Sequence, residues 1–260
     1  MPNIRQLISL KEKYASLNRS EGRIKDFLNK GLLENVAIQK SFSLNERLIL
    51  EHFDVSNATP TLIEYFESKP KENVVLLFID IANFSKLTET RTNTFITSYL
   101  DNYYSAAFPI IYRFGGQIEK LMGDGIICVF GKPFIDVTWP IEFNKAELCA
   151  KTLIQKFKGT NKEVKVALHS GEITYYKTPG TDYEEYTMIG KPITELFRLE
   201  SISRSNAINF YVESTYDTIK PTTDLGLSKI KTTEVKSFSF EVALQGVEYS
   251  KVRYLKFIEA

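Results

Sequence analysis

Two cysteines, two histidines and one tryptophan in 260 residues leave little from which to build a disulfide framework or a histidine-rich metal centre. Cys128 falls in an apolar strand-like run and Cys149 on an apolar helical stripe, so both read as buried free thiols. A surplus of charge is also missing. Lys and Arg number 33 and Asp and Glu 32, giving a net charge of +1, which excludes the electrostatic footprint of a nucleic-acid binder. The apolar runs are far too short to cross a bilayer, and no charged-then-apolar leader opens the chain, so a cytosolic protein without membrane insertion is expected. No serine or cysteine nucleophile stands with a second base; His169, after a strand-like run, therefore reads as structural.

With 43% hydrophobic residues in 29.8 kDa, the chain can bury one large core, or one core plus a small appendage. Its organising stretch is 74–130. An apolar run, 74–79, ends in Asp80 and is followed by Ile81-Ala82-Asn83-Phe84-Ser85. A buried strand that ends in an acid must deliver it to an edge or a site, because an unpaired charge is costly in a core. Residues 93–113 carry Phe95, Ile96, Tyr99, Leu100, Tyr103, Ile110 and Ile111 at helical spacing. Then Gly115-Gly116-Gln117-Ile118-Glu119-Lys120-Leu121-Met122-Gly123-Asp124-Gly125 leads into an apolar strand, with Asp124 between glycines at the tip of a hairpin. Two carboxylates brought together from neighbouring strands suit Mg²⁺ or Mn²⁺, which take few protein ligands and leave positions for phosphate oxygens.

Before this stretch, residues 1–71 read as a helical N-terminal appendage, with amphipathic patches near 4–17, 24–33, 44–53 and 61–66 and no catalytic pattern. After it, 139–158 is a helix, 164–168 a strand, 175–185 a polar loop and 186–189 a short strand closed by Gly190. A helix begins at Lys191-Pro192, where proline suits the first turn, and sets Thr194 and Arg198 four apart on one face. Strands are expected at 208–212, 238–242 and 252–257. The order predicts an α+β fold, a ferredoxin-like βαββαβ core with an extra helix and strands, over a second unit, 72–260.

Three segments now align with a family. Phe78-Ile79-Asp80-Ile81-Ala82-Asn83-Phe84-Ser85, then 115–124, then Tyr186-Thr187-Met188-Ile189-Gly190 with Arg198, resemble the signature segments of class III nucleotide cyclases. The resemblance implies that Asp80, Asp124 and the Ile81 carbonyl hold two divalent ions, Mn²⁺ or Mg²⁺. It implies that Lys120 and Thr187 read the base, that Phe78 lies against the nucleotide, and that Arg198 stabilises charge on the phosphate. Such groups meet across a homodimer with shared active sites, acting on a nucleoside triphosphate. The hairpin itself suggests the same division: Lys120 and Asp124 are close neighbours, yet base and phosphates lie at opposite ends of a nucleotide.

One departure stands out. The family's helix carries an asparagine four residues before the arginine, and here that position is Thr194, shorter and with only a hydroxyl for the ribose. Lys191 likewise replaces a common acidic residue. Lys120 can only donate and Thr187 can do either, so the pair suits adenine but also cytosine or uracil. A cyclase domain after a short helical segment, with an altered ribose contact, resembles the pyrimidine cyclases of bacterial anti-phage Pycsar systems, whose cyclic UMP or cyclic CMP acts on a separate effector. The alternatives are an adenylate cyclase making cyclic AMP and a nucleotide-binding module without turnover.

Overall fold

The computed structural model describes residues 64–177, 186–219 and 233–259. Among them, eight strands form one mixed sheet with helices on both faces. In chain order these are β1 (Lys71–Ile81), α1 (Phe84–Thr90), α2 (Asn93–Arg113), β2 (Gln117–Met122), β3 (Gly125–Phe130), α3 (Trp139–Phe157), β4 (Val164–Lys177), β5 (Tyr186–Ile189), α4 (Lys191–Ser201), β6 (Ala207–Tyr211), α5 (Thr215–Ile219), β7 (Thr233–Glu241) and β8 (Lys251–Glu259).

The sheet runs β2-β3-β1-β4-β6-β8-β7, with β5 pairing the far end of β4. Four neighbouring strands, β2-β3-β1-β4, with α2 and α3 give the ferredoxin-like βαββαβ arrangement, and β5, α4, β6, α5, β7 and β8 are the additions. The expected helices at 93–113 and 139–158 are present as α2 and α3. The patches assigned to helices before residue 64 lie outside the described residues. Residues 175–177, expected in a polar loop, belong instead to β4, where Thr174, Tyr175, Tyr176 and Lys177 pair with β5 and Tyr175 is fully buried; the rest of that loop lies outside the described residues. α1 carries no fully buried residue and so left no apolar stripe to read.

Alternation along β1 sorts the core into two layers. Val75, Leu77, Ile79 and Ile81 face α2 and α3, joining Tyr103, Ile111, Phe130, Phe143 and Leu153. Val74, Leu76 and Phe78 face the other side, with Ile127, Val129, Leu196 and Leu199. β1 is buried on both faces and sits between β3 and β4 on its two edges, so its end is fixed from four directions. Cys128 and Cys149 are buried free thiols, as expected, and burial pushes both up.

The two glycines of the hairpin do different work. Gly123 takes φ 62°, which L side chains adopt only under strain. Gly125 has ordinary backbone but no room: a Cβ there would sit 2.7 Å from Cε2 of Phe78. Gly125→Ala should therefore destabilise the fold by about 1–3 kcal/mol through overpacking, measured by equilibrium urea unfolding; an unchanged midpoint would refute the packing role.

Candidate active site

The sheet brings Asp80, at the end of β1, and Asp124, in the β2–β3 turn, into contact. Asp124 Oδ2 accepts a hydrogen bond of 3.2 Å from the Ile81 amide, and the two carboxyls share a side-chain hydrogen bond. The Tyr104 hydroxyl donates to the Gly123 carbonyl and ties the turn to α2. Burial above all, then the charge of Asp80 and the hydrogen bond with it, push the Asp124 carboxyl up to about 7, against the lowering pull of backbone amides.

Two neighbouring groups were not legible in the sequence. Lys165 on β4 is the register partner of Asp80 and places its Nζ 3.1 Å from Asp80 Oδ2 and 2.5 Å from Oε1 of Glu200 on α4. Burial lowers the Lys165 ammonium, but the bond to Glu200 and the charges of Asp80 and Glu200 outweigh it and raise it overall. Burial in turn raises Glu200 despite Lys165. The end of β1 thus holds three carboxyls and one ammonium within a half-buried cluster.

A pair of carboxylates in contact, one of them pushed towards neutrality, matches a divalent cation site by its donor chemistry. Asp80, Asp124 and the adjacent Ile81 carbonyl are hard oxygen donors of the type Mg²⁺ and Mn²⁺ take. Among the described residues no group of three or more His, Cys, Asp or Glu side chains is placed to hold a metal ion, so water and phosphate oxygens would complete the shell.

A second grouping lies on β2 and β5. Lys120 is exposed, while its neighbour Glu119 is buried and accepts a 3.1 Å hydrogen bond from the Thr187 hydroxyl. Phe78 is only 4% exposed, beneath the edge of Phe197 at a centroid distance of 5.3 Å, and presents little surface.

Thr194 and Arg198 stand exposed on α4. Glu200, which meets Lys165, is two residues beyond Arg198, about 200° round the helix. The face of α4 turned to Asp80 is therefore not the face that bears Arg198. His169 is structural, as its setting suggested: its Nε2 lies 2.9 Å from Glu195 Oε2, both side chains are buried, and the Tyr211 hydroxyl donates to the Glu195 carbonyl at 2.9 Å. The pair pins α4 to β4. Lys191 bonds Glu248 at 2.8 Å at the helix start.

The raised carboxyl gives a signed expectation. Asp124 binds its proton more tightly folded than unfolded, so between pH 4 and 7 the folded state carries more protons and loses stability as pH rises. In chelator-treated protein, Asp124→Asn should gain thermal midpoint on the wild type across that window. Added Mn²⁺ should then raise the wild type alone, and more at pH 8 than at pH 6. A difference that stays flat with pH and metal would leave Asp124 a plain turn residue.

Comparison with known proteins gives a consistent picture. Residues 66–249 match the family model described as the adenylate and guanylate cyclase catalytic domain. Adenylate cyclase 2 of Rhizobium meliloti is 26% identical over 149 residues, covering 52% of this chain and 38% of that protein. An uncharacterised protein of Mycobacterium tuberculosis is 23% identical over 137 residues, covering 52% of this chain and 25% of its own. The chain thus spans well under half the length of these curated relatives. Among solved structures, the adenylyl cyclase CyaB from P. aeruginosa superposes with a TM-score of 0.61 at 22% identity, covering 74% of this chain and 96% of that one. The guanylyl cyclase Cya2 gives 0.56 at 19% identity, covering 73% and 93%. At such identities the structural likeness speaks for the fold.

Proposed function

The chain belongs to the adenylate and guanylate cyclase catalytic-domain family, and from that premise we propose that it converts a nucleoside triphosphate to a 3′,5′-cyclic nucleotide and pyrophosphate. The observation that carries this is the contact between Asp80, at the end of a strand buried on both faces, and Asp124 in the neighbouring turn, which is pushed up to about 7. Divalent cations held by Asp80, Asp124 and the Ile81 carbonyl would neutralise the triphosphate and lower the pKa of the ribose 3′-hydroxyl.

The remaining roles fall to the protein's own groups. Lys165, tethered by Glu200, sets a positive charge beside Asp80 and can turn to a phosphate oxygen. Arg198 supplies fixed positive charge for the phosphorus as charge develops there. Thr194 positions the ribose through its hydroxyl, and Lys120 with Thr187 reads the base, which reaches Phe78 only once Phe197 moves aside. Holding the 3′-hydroxyl against the α-phosphate makes the attack intramolecular, which can contribute up to about 7–11 kcal/mol. No protein nucleophile takes part.

The faces of α4 support two sites shared across a homodimer. Arg198 and Thr194 point away from the acids of their own chain, so a two-fold partner is where they meet a triphosphate. For the base, the proposal extends to a pyrimidine, UTP or CTP, made into a signal for a separate effector in anti-phage defence. Thr194 at the ribose-contact position supports it. Lys120 paired with Thr187 supports the second reading, ATP to cyclic AMP.

Incubating the protein with each nucleoside triphosphate and Mn²⁺, then resolving products by chromatography, tests the activity. A cyclic product and pyrophosphate are expected, and their absence with all four substrates would leave a nucleotide-binding module. Asp124→Ala and Arg198→Ala should each lose at least about a hundredfold in rate, consistent with losing one electrostatic contact to the transition state. Mixing the two should restore part of the activity through hybrid dimers. A mixture that stays inactive while subunits exchange would sink the shared site.

A further inference from the structure

The hydroxyl that reads the base is not free to rotate. Glu119 lies at an irregularity of β2: Ile118 pairs with Cys128 and Lys120 with Ile127, so Glu119 is the extra residue of a bulge. A bulge re-aims a side chain, and here it sends Glu119 inward while Lys120 faces solvent. Glu119 is 4% exposed and takes its hydrogen bond from Thr187 on β5. A threonine hydroxyl has one hydrogen and two lone pairs, whereas an ionised carboxylate has only acceptors. With its hydrogen committed to Glu119, the Thr187 oxygen has nothing left to offer a ligand but lone pairs.

We propose that Glu119 is a specificity-determining residue, which by fixing Thr187 as an acceptor makes the site take a base with an amino group beside an unprotonated ring nitrogen. Cytosine offers its N4 amino group and N3, and adenine its N6 amino group and N1. Lys120, a donor only, matches the ring nitrogen. Uracil and guanine present a carbonyl oxygen to the Thr187 lone pairs and a ring N–H to the ammonium, so both contacts are mismatched. Of the triphosphates considered above, CTP and ATP fit and UTP does not. The inference rests on the cyclase reading for the position of the base. The chemistry of the Glu119–Thr187 bond is independent of turnover.

The test measures kcat/KM for all four nucleoside triphosphates, and in parallel the affinity of their non-cyclising α,β-methylene analogues. Wild type should favour CTP or ATP over both UTP and GTP by at least about tenfold, since a buried polar group left unpaired by the wrong ligand discriminates strongly. Which of the two leads identifies the ring size accepted. Glu119→Gln can donate an amide hydrogen to Thr187 and turn its hydroxyl outward. It should raise the UTP-to-CTP and GTP-to-ATP ratios by about tenfold, in affinity as in turnover. Thr187→Val, which removes the hydroxyl altogether, should bring amino and carbonyl bases closer to parity, and it carries the test should Glu119→Gln fail to fold. A wild type that prefers UTP or GTP, or variants that scale all four nucleotides equally, would overturn the assignment. Base-selective binding of the analogues without any cyclic product would keep it and remove the cyclase reading instead.

Discussion

Asp80 and Asp124 touch, and a contact between two acids at the rim of an apolar core is one that folding alone does not favour. The rest of the molecule is arranged so that this contact nevertheless forms. β1 is walled by β3 and β4 and covered on both faces, so its last residues cannot drift. The β2–β3 turn is held by the Ile81 amide, by Tyr104 and by the left-handed backbone at Gly123. Strain at a rigidly held site of this kind is what cation and triphosphate binding would relieve.

The two ends of the proposed site are built on opposite principles. At the phosphate end, charges are crowded and partly offset by Lys165, giving a cluster whose balance shifts with what binds. At the base end, a single buried carboxylate fixes the sense of one hydroxyl and leaves little to adapt. Strong electrostatic stabilisation is wanted where charge moves, and a fixed donor and acceptor order is wanted where a base must be told from its neighbours. The same hairpin strand serves both, through Lys120 and Glu119 on one side and Asp124 at its tip.

Much of this could be read before any coordinates. The strand-to-acid transition at Asp80 and the glycine-flanked Asp124 are local patterns, and so is the four-residue spacing of Thr194 and Arg198. Gly125 shows the limit of that reading: it suggested turn geometry, whereas it is the ring of Phe78 that demands it. Lys165, Glu200 and Glu119 escaped because their meaning comes from pairing between distant strands and from a bulge, and neither leaves a periodic trace. His169 was separable from catalysis by what the chain does not supply, though its partner Glu195 was not foreseen.

The register of β1 against β4 carries one more implication. Asp80 sits opposite Lys165, and every neighbour of Asp80 along the strand is apolar. Slipping the pairing by one step would put the acid where Ile79 now stands, under α2 and α3 among Tyr103 and Leu153, and strip it of its counter-ion. Misaligned chains are thus penalised by the very charge proposed to hold the cations, and a site of that design doubles as a proofreader of assembly.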